Sequence, residues 1–171
     1  MGIRKSTTPV AHFENVMIVD LLRSDLGKVA ETGSVEVPEL FSVESVSRVL
    51  QMTSTVTAVH RPGVTVVDIL RALFPRGSVT GAPKARTMAI IKELEQHPRG
   101  VYTGAIGLVC PDGDAIFNVP IRTLAVDARD RSATFGVGGG ITWDSTTEGE
   151  YEECLLKAKF VTEPWDEFDL L

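Results

Sequence analysis

The chain groups its helical and strand-like runs instead of alternating them, and this order constrains the fold more than any other feature. "ENVMIVDLLRSDLG" opens a helix at Glu14, with Ile18, Leu22 and Leu26 at i, i+4 and i+8 and Gly27 as its stop. "GSVEVPELFSVESV" reads as extended, broken at Pro38, and the β-branched run 49–59 reads as a strand. "TVVDILRALFP" predicts a short amphipathic helix ending before Pro75. A third helix is expected from about Ala82 to about Glu95, with Pro83 in its first turn and Met88, Ile91 and Leu94 or Glu95 on one face. Three strand-like runs follow, "GVYTGAIGLVC", "DAIFNVPIRTLAVD" and "SATFGVGGGI", joined by hairpin-like turns at "PDGD" and "ARDR". A last helix begins near Thr146. Helix, strands, two helices, antiparallel meander, helix: that order predicts an α+β fold, antiparallel strands packed with helices, not a parallel sheet.

The bulk numbers remove several classes of function. At 171 residues, 43% hydrophobic and 23% charged, the chain has the composition of an ordinary globular domain. A net charge of −6 argues against nucleic acid as a partner. Cys110 and Cys154 are the only cysteines and form no C-x-x-C pair, so neither a disulfide framework nor a zinc site is indicated. No run approaches the roughly 20 apolar residues of a membrane span. The N-terminus has no apolar stretch of signal-peptide length, so a cytoplasmic protein is expected. Residues 1–12 and 163–171 read as tails around a body spanning 13–162.

Four groups of residues could carry chemistry. In "EGEYEECLLKAK", Glu153 lies about 60° and Lys157 about 20° from Glu150 around a helix axis, so the three share a stripe. Such a stripe is either a solvated face with one i, i+4 ion pair or a hard-cation site, because magnesium takes one or two carboxylates and keeps water. Tyr151, Leu155 and Ala158 form the neighbouring stripe, expected to face the core. "SVTGAPK" runs from a turn into a helix, so amides near Gly81 and Ala82 could meet an anion, or Thr80 could simply cap the helix. Gly138, Gly139 and Gly140 weaken a strand end, which suits either a bulge or close backbone approach to a ligand. Tyr102 and Arg122, both expected on meander strands, offer a hydroxyl and a planar fork for a carboxylate. Glu14 sits near a helix N-terminus, where an acidic side chain is favourable without further function.

In this order, "ENVMIVDLLRSDLGKV", "GSVEVPELF", "FPRGSVTGAPKARTMAII", "GVYTGAIG", "IRTL", "GGGI" and "EYEECLLKAK" resemble the chorismate-utilising enzymes over roughly residues 11–161. That family includes aminodeoxychorismate, anthranilate, isochorismate and salicylate synthases. The resemblance implies the C-terminal part of that fold, with residues 13–162 as a chorismate-binding domain. It implies Mg2+ held by Glu14 and Glu153, with Glu150 as a further metal ligand or a holder of metal-bound water and Lys157 beside a substrate carboxylate. It implies Tyr102 and Arg122 as the clamp on the enolpyruvyl carboxylate, assisted by the Gly138 and Gly139 amides. Thr80, with a catalytic role, would line the ring side together with Gly81 and Ala82. "SVTGAPK" and "ENVMIVDLLRSDLG" are closer to the aminodeoxychorismate synthase branch, because anthranilate synthases tend to carry Ser at the position of Thr80. The implied reaction converts chorismate and ammonia to 4-amino-4-deoxychorismate, on the way to para-aminobenzoate and folate. The implied partner is a glutamine amidotransferase supplying the ammonia.

The sequence also departs from the pattern. Full-length members are more than twice this length, and a P-I-K-G-T lysine expected upstream of the first helix has no counterpart here, Lys5 included. A histidine usual in the 49–59 strand is Gln51, and the Asn of R-N-D is Ser24. The expectation is therefore a fragment, a truncated reading frame or one part of a split enzyme with its N-terminal half in trans, which keeps much of the metal and carboxylate site without the complete catalytic set and carries uncovered strand edges. Anthranilate synthase component I and a non-catalytic chorismate-binding or subunit-interaction remnant are the alternatives.

Overall fold

The computed structural model of the chain describes residues 9–46 and 49–163. The elements run α1 (Pro9–Gly27), β1 (Glu36–Val46), β2 (Val49–Thr57), α2 (Val66–Leu73), α3 (Gly77–Thr80), α4 (Lys84–Leu94), β3 (Ile106–Val109), β4 (Ala115–Asn118), β5 (Leu124–Asp127), β6 (Ser132–Phe135) and α5 (Thr147–Thr162). The architecture is α+β, as the grouped pattern predicts. Two compact units divide it, Met1–Leu94 and Glu95–Leu171. No helix among the described residues is long and apolar enough to cross a membrane.

In the first unit, α1 packs on α2, α3 and the β1–β2 hairpin. Helix α1 already includes Pro9, the first described residue, ahead of the expected start at Glu14. Val19, Val29, Ala30 and Ala72 form its buried apolar centre. Gly77 brings α3 onto Leu21, since a Cβ there would lie 2.7 Å from the Leu21 Cδ1. β1 is irregular between Glu36 and Glu39, where Pro38 can donate no ladder hydrogen bond, and again between Glu39 and Ser42. The Ser54 hydroxyl joins the hairpin to α1 by donating to Asn15 Oδ1 at 2.7 Å while accepting from the Phe41 amide. α2 is closed by a capping box in which Thr65 and Asp68 exchange hydrogen bonds. Arg61 donates to the Ala30 and Lys28 carbonyls just beyond the end of α1, where positive charge is favoured. The expected Met88 and Leu94 face of α4 is not buried: they are 43% and 75% exposed.

In the second unit the single meander becomes two hairpins, β3–β4 and β5–β6. Proline explains the break: Pro120 interrupts "DAIFNVPIRTLAVD", and its buried carbonyl accepts from the Thr103 amide at 2.8 Å. Both expected turns are present. Asp114 O accepts from the Cys110 amide across the first, and Asp127 Oδ1 accepts from the Arg129 amide in the second. Gly107 faces Phe117 across β3–β4, and any side chain there would collide with the Phe117 ring and the Ile116 carbonyl. α5 starts at its Thr146 cap, whose hydroxyl accepts from the Gly149 amide at 3.2 Å. The stripe expected to enter the core does not: Tyr151 is 65% and Leu155 51% exposed. Helical period fixes which residues share a face, not whether another element covers it.

Candidate functional site

α5 and the glycine run after β6 build one constellation inside the second unit. Lys157 Nζ lies 2.6 Å from Glu153 Oε1 and donates to the Gly138 carbonyl at 2.7 Å. The ion pair expected from i, i+4 spacing is therefore present, but it is also tied to the glycine backbone. Glu150, one turn earlier, accepts at Oε1 from the Ser145 hydroxyl at 2.5 Å. Its Oε2 is buried and has no hydrogen-bond partner among the described residues. That oxygen lies against Gly139, occupying the place a Cβ would need, and Glu153 Oε1 is 3.8 Å from the same point. Glycine is thus required at 139 by close approach of a carboxylate, which accounts for a strand end that sacrifices packing.

Tyr102 approaches the same glycine run from the β3 side. Its ring covers Gly136, and its hydroxyl lies 3.0 Å from where a Cβ on Gly138 would stand. Tyr102 and Arg122 are not on strands as expected: Tyr102 lies in a turn before β3 and Arg122 in a bend before β5. Hydrogen bonds from the Tyr102 amide to Arg99 O and from the Gly104 amide to Val101 O close the turn, and Pro120 ends the strand before Arg122. Arg122 has φ +50° and an exposed side chain. Below the turn, Arg99 grips Glu95 through Nε and Nη2 at 2.9 and 2.7 Å. Its hydrogen bonds hold the Glu95 carboxyl below its ordinary range against a smaller upward push from burial, and the same contact raises the Arg99 guanidinium.

Thr80, Gly81 and Ala82 belong to the first unit. Thr80 does not cap α4: it ends α3 and donates its hydroxyl to Arg76 O at 3.0 Å. The Gly81 amide is not free for an anion either, because it donates to Gly77 O at 2.8 Å and closes that short helix. Gly81 takes φ +99°, which glycine adopts readily, and Ala82 is exposed. Glu14 has its backbone in α1, and its side chain falls outside the described residues. Among the described residues no group of three or more His, Cys, Asp and Glu forms a metal cluster; Glu150 and Glu153 stand as a pair.

Sequence reasoning missed three features, two of them at this site and one in the first unit. Ser145, which orients Glu150, precedes a helix cap in "WDSTTE" and reads only as cap chemistry. Gly136 lies two residues before the glycines singled out. The third is an ion cluster in the first unit, where Lys84 Nζ lies 2.6 Å from Asp25 Oδ2 and Lys28 Nζ lies 2.7 Å from Oδ1. Lys84 also donates to Pro75 O at 3.2 Å. Burial pushes the Asp25 carboxyl upward, but the hydrogen bonds and charges of Lys28 and Lys84 together outweigh it and hold it below its ordinary range. The partners are 59 residues apart, so no local pattern announces them.

The family profile of chorismate binding enzymes matches residues 11–163. Aminodeoxychorismate synthase of Streptomyces pristinaespiralis is 49% identical over 146 residues, covering 85% of this chain and 20% of that protein. Anthranilate synthase component 1 of Aquifex aeolicus is 44% identical over 146 residues, covering 85% of this chain and 29% of that protein. The crystal structure of anthranilate synthase component I from Streptococcus pneumoniae TIGR4 superposes with a TM-score of 0.77 at 38% identity, covering 90% of this chain and 35% of that one. The chain therefore spans less than a third of the length of these two curated relatives, and within that span it belongs to the chorismate-binding enzyme family.

Proposed function

We propose that this chain is the chorismate-binding, magnesium-bearing part of an aminodeoxychorismate synthase, which converts chorismate and ammonia to 4-amino-4-deoxychorismate. The observation that carries the reading is Glu150 Oε2, buried without a partner against Gly139 and beside Glu153. A buried polar oxygen with no partner is costly, and a cation is the partner that relieves it. The donor set suits Mg2+, which takes carboxylate oxygens and keeps water. Glu150 and Glu153 would hold it, and Glu14 is the third ligand that the family pattern implies. When bound, the ion would supply positive charge to neutralise a substrate carboxylate and Lewis acidity to polarise it.

The chain's own residues have separable tasks in this reading. Lys157, fixed by Gly138 O and Glu153, keeps an ammonium beside the glycine backbone and attracts a substrate carboxylate. Ser145 orients Glu150 so that one oxygen is engaged and the other remains for the ion. Tyr102 contributes a hydroxyl next to Gly138, and Arg122 a planar fork for the second carboxylate, with the Gly138 and Gly139 amides assisting. Thr80, Gly81 and Ala82 are the ring-side residues of the proposal. Ammonia comes from a glutamine amidotransferase, the product feeds para-aminobenzoate and folate synthesis, and the compartment is the cytoplasm.

Anthranilate synthase component I is the second reading, favoured by 44% identity to the Aquifex relative. Product identity separates the two. The chain is mixed with chorismate, Mg2+, ammonium and a separately expressed N-terminal half of a relative, and products are resolved by chromatography. 4-Amino-4-deoxychorismate supports the first reading, fluorescent anthranilate replaces it with the second, and no product overturns a catalytic role.

A further inference from the structure

Thr103 sits where a threonine is unfavourable. It adopts φ +58°, a left-handed conformation that β-branched side chains avoid and glycine or asparagine tolerate. It is 9% exposed, so solvent does not explain its conformation. Backbone conformations of this kind persist only where surrounding contacts over-determine them. Here they do. The Thr103 amide donates to buried Pro120 O at 2.8 Å, and Arg99 Nη1 lies 3.4 Å from the Thr103 hydroxyl. Arg99 is itself fixed by Glu95, and the Gly104 amide donates to Val101 O at 2.9 Å. A Cβ at Gly104 would stand 2.8 Å from Val101 O, so the turn has no slack on that side.

What this conformation joins is the point. Thr103 follows Tyr102, and Pro120 lies two residues before Arg122, which has its own positive φ of +50°. One backbone hydrogen bond therefore connects the Tyr102 turn to the Arg122 bend. We propose that Thr103 is a positioning residue: its buried left-handed backbone locks these two segments together, so that the Tyr102 phenol and the Arg122 guanidinium are presented in fixed register before substrate arrives. This rests on the reading above in taking Tyr102 and Arg122 as carboxylate contacts. The bland alternative is a hairpin connector whose residue identity does not matter to ligand.

Two substitutions separate these readings. Thr103→Gly keeps the amide and permits the conformation but also permits many others; Thr103→Asn keeps the amide and tolerates φ near +58°. Two readouts are taken on each: chorismate affinity by calorimetry with Mg2+, and the Gly136 proton shift in the unliganded chain, which the overlying Tyr102 ring displaces. Tyr102→Leu sets the zero of that displacement. Thr103→Gly is expected to lose most of the ring-induced shift. It is also expected to weaken chorismate by about tenfold, as when the competent fraction falls to roughly a tenth. Thr103→Asn is expected to restore both. If Thr103→Gly leaves the Gly136 shift and the affinity unchanged, or Thr103→Asn restores neither, the positioning role is overturned. If the parent chain binds no chorismate, the functional reading fails, while the Gly136 shift still decides whether Thr103 fixes Tyr102.

Discussion

Replacing Lys84 by methionine should reveal what holds the first unit together. The side chains of Lys84 and Asp25 are 19% and 6% exposed, and their ion pair bridges α4 and α1. Lys84→Met keeps the aliphatic stem and removes the charge, leaving a buried carboxylate. Removing one partner of a buried pair typically costs about 3–5 kcal/mol. Lys28 remains on the other carboxylate oxygen, but its side chain is 56% exposed, and such pairs contribute only about 0.2–1 kcal/mol. The expected loss is therefore about 3 kcal/mol. It is read from urea unfolding by circular dichroism, with hydrogen exchange in peptides covering α1 and α4 to assign it to this unit. The double variant Asp25→Leu/Lys84→Met should recover most of the loss, because apolar replacement of a whole buried pair is often neutral. A Lys84→Met loss below about 1 kcal/mol, the range of an exposed pair, would mean that the Lys84–Asp25 pair does not hold α4 on α1.

Other consequences follow from the same contacts. Because the Asp25 carboxyl is depressed, its contribution is fully present above the unfolded-state value near 3.9 and is lost as pH falls through the lower folded value. The stability gap between the parent and Asp25→Asn should therefore close below about pH 4, and a gap constant from pH 7 to 3 would contradict this. Gly139→Ala should displace Glu150 and abolish magnesium-dependent chorismate binding while hydrogen exchange in α5 stays protected; unchanged binding would remove Glu150 from the site. Thr146→Ala should cost about 1 kcal/mol through the lost cap, seen as faster exchange in the first turn of α5, and no change there would deny the cap its role.

What the sequence made legible was whatever depends on local period and turn chemistry. Thr146 and the 147–162 helix, the turns at 111–114 and 128–131, and the Glu150, Glu153, Lys157 stripe all follow from spacing within a few residues. The resemblance added the family and the candidate roles. Hidden features depend on where distant segments meet. Pro120 splits a run that alternation alone reads as one strand, and its carbonyl is engaged by Thr103, 17 residues away in sequence. The Asp25 and Lys84 pair spans 59 residues. Thr80 and Gly81 read as a helix cap and an open amide, yet the short helix α3 engages both, a single turn too brief for period to reveal. The Gly139 approach to Glu150 is intermediate: the glycines flagged a close contact, and only the fold supplied its partner.

A magnesium site at Glu150 and Glu153 would let this acidic chain hold a dianion. Calorimetric titration of chorismate into the purified chain, with and without Mg2+, tests it most directly. Binding should require Mg2+ and disappear in Glu153→Ala. Binding that is equal without the metal, or no binding by a chain that still unfolds cooperatively, would contradict it and leave Glu150, Glu153 and Lys157 as a helix face with one surface ion pair.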